Sequence, residues 1–94
     1  MNRAPSPPRY RQARAPLRAD FPGETVLMSF DTGRYYGLEG TALSVWQLLE
    51  TPRTLEDLVA ALAESHDVPV ERCRQDVAPF LEALTREGLV EAMD

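Results

Sequence analysis

Between residues 24 and 50 the apolar pattern changes its period, and this limits the fold more than any other feature of the chain. In "TVLMSF", Val26, Met28 and Phe30 fall on one face, and Thr25, Leu27 and Ser29 on the other. A period of two marks a half-buried strand. "TALSVWQLLE" then places Ala42, Val45, Trp46 and Leu49 at helical spacing, which predicts a first helix over about 42–50. A strand pair followed by helices excludes an all-helical bundle. It also demands that the small sheet bury one face against the helices.

Turn chemistry divides the strands. Pro22-Gly23 in "DFPGE" suits the two central positions of a tight turn. "DTG", residues 31–33, closes a second hairpin, with Gly33 free to take positive φ. "RYYGL" is the strand that follows, with Tyr35 and Gly37 on one face and Tyr36 and Leu38 on the other. Leu17 anchors a short first strand, and Pro16 confines it to an edge or a strand start.

Two further helices follow. Thr54 with Asp57 three residues on is a capping-box start, and Leu55, Leu58, Val59 and Leu62 form the buried stripe of the second helix. The third and longest carries Val70, Cys73, Val77, Phe80, Leu81 and Leu84, with Gly88 as its C-terminal cap. Pro79 interrupts it, and the apolar stripe stays in phase on both sides, so a kinked continuous helix is expected. Leu89 and Val90 are expected to fold back onto the core. The fold class is α+β, with a three-stranded antiparallel N-terminal sheet followed by three helices, a winged helix-turn-helix arrangement.

The 94 residues suit one small domain. Residues 1–12, rich in proline and arginine, read as a disordered basic tail, and residues 13–94 as the folded domain. Residues 1–20 carry five arginines against Asp20 alone, while the rest carries five arginines against fourteen acids. An acidic body argues against nucleic acid as a partner. No apolar run approaches the ~18 residues of a membrane span. A single cysteine and no secretory signal fit a cytoplasmic protein.

Catalytic chemistry is sparse. His66 and Cys73 are the only histidine and cysteine. Cys73 lies on the apolar stripe, where a thiol acts as a small hydrophobe, and His66 stands at a helix end. No metal-ligand spacing or phosphate loop occurs. Neither an enzyme nor a cofactor is expected. The outer edge of "RYYGL", by contrast, has no evident partner in the chain. A bare edge beside an amphipathic helix is the geometry of strand addition by a foreign peptide.

The ordered set Gly33, Tyr35, Tyr36, Leu38, Thr41, Ala42, Trp46, Thr54, Leu58, Asp76, Val77, Phe80, Leu81, Leu84, Gly88 and Leu89 resembles PqqD-like proteins, also called RiPP recognition elements. The resemblance spans residues 24–90. Glu39, where the family often has Asn, and Pro79 depart from the pattern. The resemblance implies a domain that binds the leader of a ribosomally made precursor peptide beside the third strand and the third helix. The chain looks most like the freestanding lasso-peptide proteins, whose partners are a leader peptidase and a macrolactam-forming cyclase. A chaperone of the quinone-cofactor pathway, serving a radical enzyme, is the sibling reading, and a DNA-binding winged-helix regulator is the rival. Mapped onto this chain, the peptide would meet Arg34, Tyr35, Tyr36, Gly37 and Leu38 on the strand, with Tyr35 or Tyr36 lining a pocket. On the helix it would meet Arg74, Val77, Phe80, Leu81 and Leu84. Val77 and Leu81 suit the core equally well.

Overall fold

The computed structural model describes residues 6–93. Strands β1 (Arg9–Gln12), β2 (Leu17–Phe21), β3 (Glu24–Met28) and β4 (Tyr35–Glu39) lead into α1 (Gly40–Leu48). The short β5 (Arg53–Thr54), α2 (Leu55–His66), α3 (Val70–Arg86) and β6 (Val90–Met93) follow. The α+β class and the three-stranded N-terminal sheet followed by three helices agree with the sequence reading.

The hairpin sheet has the order β2-β3-β4, antiparallel throughout. Phe21 pairs with Glu24 across Pro22-Gly23, so the first turn holds two residues. The second closes through Ser29 N–H, which donates to Arg34 O at 2.9 Å, with Gly33 in the left-handed region at φ 72. The face carrying Thr25 and Leu27 turns inward, both being buried, while Phe30 lies beyond the strand and is exposed. Leu38 joins Leu27 against Val45, Trp46 and Leu49 of the first-helix region.

Thr54 caps α2 as expected. Its hydroxyl accepts from Asp57 N–H at 3.0 Å, and the Asp57 carboxylate accepts from Thr54 N–H at 2.9 Å. These bonds hold the Asp57 carboxyl below its ordinary value. Helix α3 runs unbroken through Pro79, which sits on its exposed side. It ends in a Schellman motif: Leu89 N–H donates to Leu84 O and Gly88 N–H to Thr85 O, with Gly88 at φ 76.

The sequence reading missed a second sheet, β5-β1-β6, which joins three distant segments of the chain. The disordered tail expected over residues 1–12 is thereby corrected at its end, where residues 9–12 form the central strand. Residues 1–5 of that tail lie outside the described residues. The strand is held from several sides. Gln12 N–H donates to Leu49 O at 2.8 Å, the Gln12 side-chain amide donates to Trp46 O at 2.7 Å, and Tyr10 packs on the core. With one apolar side chain and two arginines, β1 has no periodicity to reveal it. Leu89 and Val90 are buried in the core, as expected, and lead into β6, which was not.

Candidate functional site

The edge of β4 away from β3 has no strand partner among the described residues. Its polarity follows from the ladder. Ser29 and Arg34 share a backbone bond across the turn, so the next bonded pairs are Leu27–Tyr36 and Thr25–Leu38. The backbone groups of Tyr36 and Leu38 are therefore used by β3. Tyr35 and Gly37 turn their N–H and C=O outward, and Glu39 its N–H. Only these alternate residues can bond an added strand, and Arg34 precedes the strand.

The C-terminal end of helix α3 is linked to this strand, and its N-terminal half to the start of α1. Tyr36 O–H donates to Glu87 Oε2 at 2.6 Å, which draws the start of β4 to the C-terminal end of α3. This bond, helped by partial burial, raises the phenol above its ordinary value. Arg34 also reaches Glu87, at 3.8 Å, through an exposed and weak contact. Past the other end of β4, Thr41 lines a cleft of about 260 Å³ with His66, Arg72, Cys73, Asp76 and Val77. Strand and helix thus run antiparallel. The extended chain of β4, Tyr35 to Glu39, spans roughly 13 Å, and Asp76 to Glu87 roughly 16 Å of helix.

Asp76, Phe80, Ala83 and Glu87 follow one another at intervals of three or four residues and share one face of α3. Phe80 is half-buried, packed against the core with part of its ring accessible. This face meets β4 at Glu87, through Tyr36, and the strip between the β4 edge and Phe80 is the candidate groove.

The expected site residues divide accordingly. Tyr36 faces inward over the groove, while Tyr35 points from the outer sheet face, 72% exposed. Gly37 shares that outer face, where a Cβ would meet the Glu24 carboxylate at 2.9 Å. Leu38, Val77 and Leu84 are buried core residues beneath the groove. Two expectations are corrected. Leu81 is buried on another side of α3, lining a cleft with Tyr10, Leu55 and Ala92. Arg74 lies about 120° around the helix from Phe80 and clasps α2: its Nε donates to Glu56 Oε2 at 2.8 Å, and Nη1 pairs with Glu71. That pairing drives the guanidinium pKa up and the Glu56 carboxyl down. The even spread of acids over the helix hid which arginine was engaged.

Thr41, Asp76, Ala83 and Glu87 were missed. Asp76 and Glu87 could have been found by extending the Phe80 interval in both directions. Cys73 is buried, with its thiol directed at Val59 O 3.7 Å away. Among the described residues no three His, Cys, Asp or Glu side chains are grouped to hold a metal, and no helix is long and apolar enough to cross a membrane.

The family model for coenzyme PQQ synthesis protein D (PqqD) matches residues 24–90, from the first residue of β3 to the first of β6. The chain belongs to the PqqD family. It is 32% identical over 69 residues to the PqqA binding protein of Rhizobium meliloti (strain 1021), covering 73% of this chain and 68% of that protein. Among solved structures, TbiB1 in complex with the TbiA(beta) leader peptide is similar with a TM-score of 0.77 and 31% identity, over 86% of this PqqD-family chain and 94% of TbiB1. The solution structure of the PqqD truncation of Methylobacterium extorquens PqqCD, a stand-alone RiPP recognition element, shares the fold with a TM-score of 0.68. Its identity is 20%, with 88% of each chain covered.

Proposed function

We propose that this protein is a recognition element that captures the leader segment of a ribosomally made precursor peptide. The leader adds as a strand to the free edge of β4, bonding the backbones of Tyr35, Gly37 and Glu39. Its inward side chains rest on Phe80 and Ala83 of α3. The observation that carries this reading is the bare β4 edge, tied through Tyr36 to Glu87 at the end of α3. Likeness to a PqqA binding protein and to a leader-bound TbiB1 supports it.

The chain itself supplies no bond-making step. Holding the leader raises the concentration of the attached core peptide at a separate enzyme, to millimolar levels for a short linker. For this chain we favour a leader peptidase and a macrolactam-forming cyclase of lasso-peptide synthesis as those enzymes. The charge on α3 disfavours a DNA-reading helix. Each of its arginines meets a carboxylate: Arg72 with Asp76, Arg74 with Glu56 and Glu71, and Arg86 with Glu82.

Fluorescence titration with the labelled leader of a candidate precursor peptide tests the reading. Saturable binding weakened roughly tenfold or more by Phe80→Ala is expected, as for an apolar anchor. Unchanged affinity in that variant would remove α3 from the site.

A further inference from the structure

The hairpin sheet has a second bare edge, on β2, and its sequence is complementary to itself. Every residue of β2 is exposed, with Leu17 at 52% and Phe21 at 55%. The ladder fixes which backbone groups are free. On β3, Thr25 and Leu27 bond toward β4, so Glu24, Val26 and Met28 bond toward β2, through Phe21, Ala19 and Leu17. Arg18 and Asp20 therefore turn their N–H and C=O to the open edge.

We propose that β2 pairs antiparallel with the β2 of a second copy of this chain, about a two-fold axis at Ala19, making one six-stranded sheet from two hairpin sheets. In this register Arg18 stands opposite Asp20 of the second copy, twice over, and both are the residues with free backbone groups. The two bonded pairs carry opposite charges directly across from each other, an arrangement that stabilises a ladder. Shifting the register by two residues either way puts Arg18 against Arg18 or Asp20 against Asp20, and odd shifts bring the free groups out of line. Charge and bonding parity thus select one register. Pro16 and Pro22, which lack an N–H, fall opposite one another and end the ladder without an unpaired donor. On the outer face Leu17 meets Phe21 of the second copy, covering the two most exposed apolar side chains of the strand.

The contact is isologous, so it closes at two subunits. Within each subunit Arg18 Nε now lies 3.1 Å from both Asp20 oxygens, and Asp20 Oδ1 accepts from Thr25 Oγ1 at 2.8 Å. The Arg18 bond and the Thr25 bond keep the Asp20 carboxyl below its ordinary value. The acid is thus ionised at neutral pH and ready to exchange its own arginine for the opposing one. Both β4 edges lie at the far ends of the six-stranded sheet and stay free.

Sedimentation velocity over a micromolar-to-millimolar series tests this. The full chain is expected to pass from monomer to dimer and no further. Arg18→Asp should raise the dimer dissociation constant roughly tenfold or more, because like charges replace both cross-strand pairs. Arg18→Asp combined with Asp20→Arg should bring it back. Ala19→Asp places two carboxylates across the axis and should also leave a monomer, without touching the Arg18–Asp20 pair. Far-UV circular dichroism confirms that each variant is folded. A chain that stays monomeric at millimolar concentration, one that forms species larger than a dimer, or a charge swap that does not restore association would overturn the proposal.

Discussion

The two sheets of this molecule are built on opposite terms. The hairpin sheet β2-β3-β4 is made of consecutive strands joined by tight turns, and it leaves backbone groups bare on both sides. The terminal sheet β5-β1-β6 draws strands from residues 9–12, 53–54 and 90–93 and uses both edges of its central strand. The first is cheap to form, because little chain must be closed to make it. The second costs more chain entropy, and its work is to fasten the ends of the chain to the core. The contrast teaches that the locally formed sheet is specified by its own turns, while the long-range sheet ties distant segments of the chain to the core.

Removing residues 1–12 tests this most severely. It strips the central strand from the terminal sheet, breaks the Gln12 bonds to Leu49 and Trp46, and uncovers core beneath Tyr10. A loss of about 3 kcal/mol or more is expected, a large share of the stability of a domain this size. Urea unfolding measures it, and a truncated chain as stable as the full one would show β1 to be a dispensable arm.

Tyr35→Pro applies the opposite test to the hairpin sheet. The Tyr35 N–H points to the open edge and the residue begins its strand, a position where proline is tolerated. Stability should change by less than about 1 kcal/mol. Leader affinity should fall roughly fivefold or more, through a lost hydrogen bond and a blocked edge. If the same variant unfolds the protein, β4 is not the free edge described above.

Thr54→Ala touches the terminal sheet more lightly, because Thr54 ends β5 and caps α2 at once. About 1 kcal/mol should be lost, read as a lower thermal midpoint. The cap also carries a pH signature. The folded Asp57 carboxyl lies below its ordinary value of 3.8. Its stabilisation is therefore complete above that value and disappears as pH falls further, through the lower folded value. Acid unfolding of Thr54→Ala should keep most of this component, because the residue 54 N–H still donates to the carboxylate, whereas Asp57→Ala should lack it.

Smallest is the effect of pH at the groove. Tyr36 is raised above 10.0 by its bond to Glu87. Its contribution is complete below pH 10.0 and is lost as pH rises through the raised folded value. Ultraviolet titration should show one late phenol that is missing from Tyr36→Phe.

The hairpin sheet was legible in the sequence because each of its signals is local. The alternation in "TVLMSF", Pro22-Gly23 and Gly33 specify strands and turns without reference to anything distant. The capping box at Thr54 and the glycine at the end of α3 were legible for the same reason. The strand β1 was not, because "RYRQ" becomes a strand only when β5 and β6 stand on either side of it. It also lies outside residues 24–90, where the family resemblance holds. For the candidate groove, "RYYGL" and Phe80 were legible, whereas Arg74 and Leu81 lie on other sides of α3. Apolar spacing finds the side of α3 that is buried, and Val77, Leu81 and Leu84 are buried. The groove side is mixed, with Asp76, Phe80 and Glu87, and no hydrophobic period marks it.

In the terminal sheet Arg9 stands opposite Met93. A few residues joining those positions would close the polypeptide into a ring, and new termini could be cut into the turn at Pro22-Gly23 without crossing the core. Cargo attached at residue 9 or at residue 93 would leave from the same corner of the molecule. Tethering a processing enzyme to one end or the other is then a choice of convenience, not of geometry.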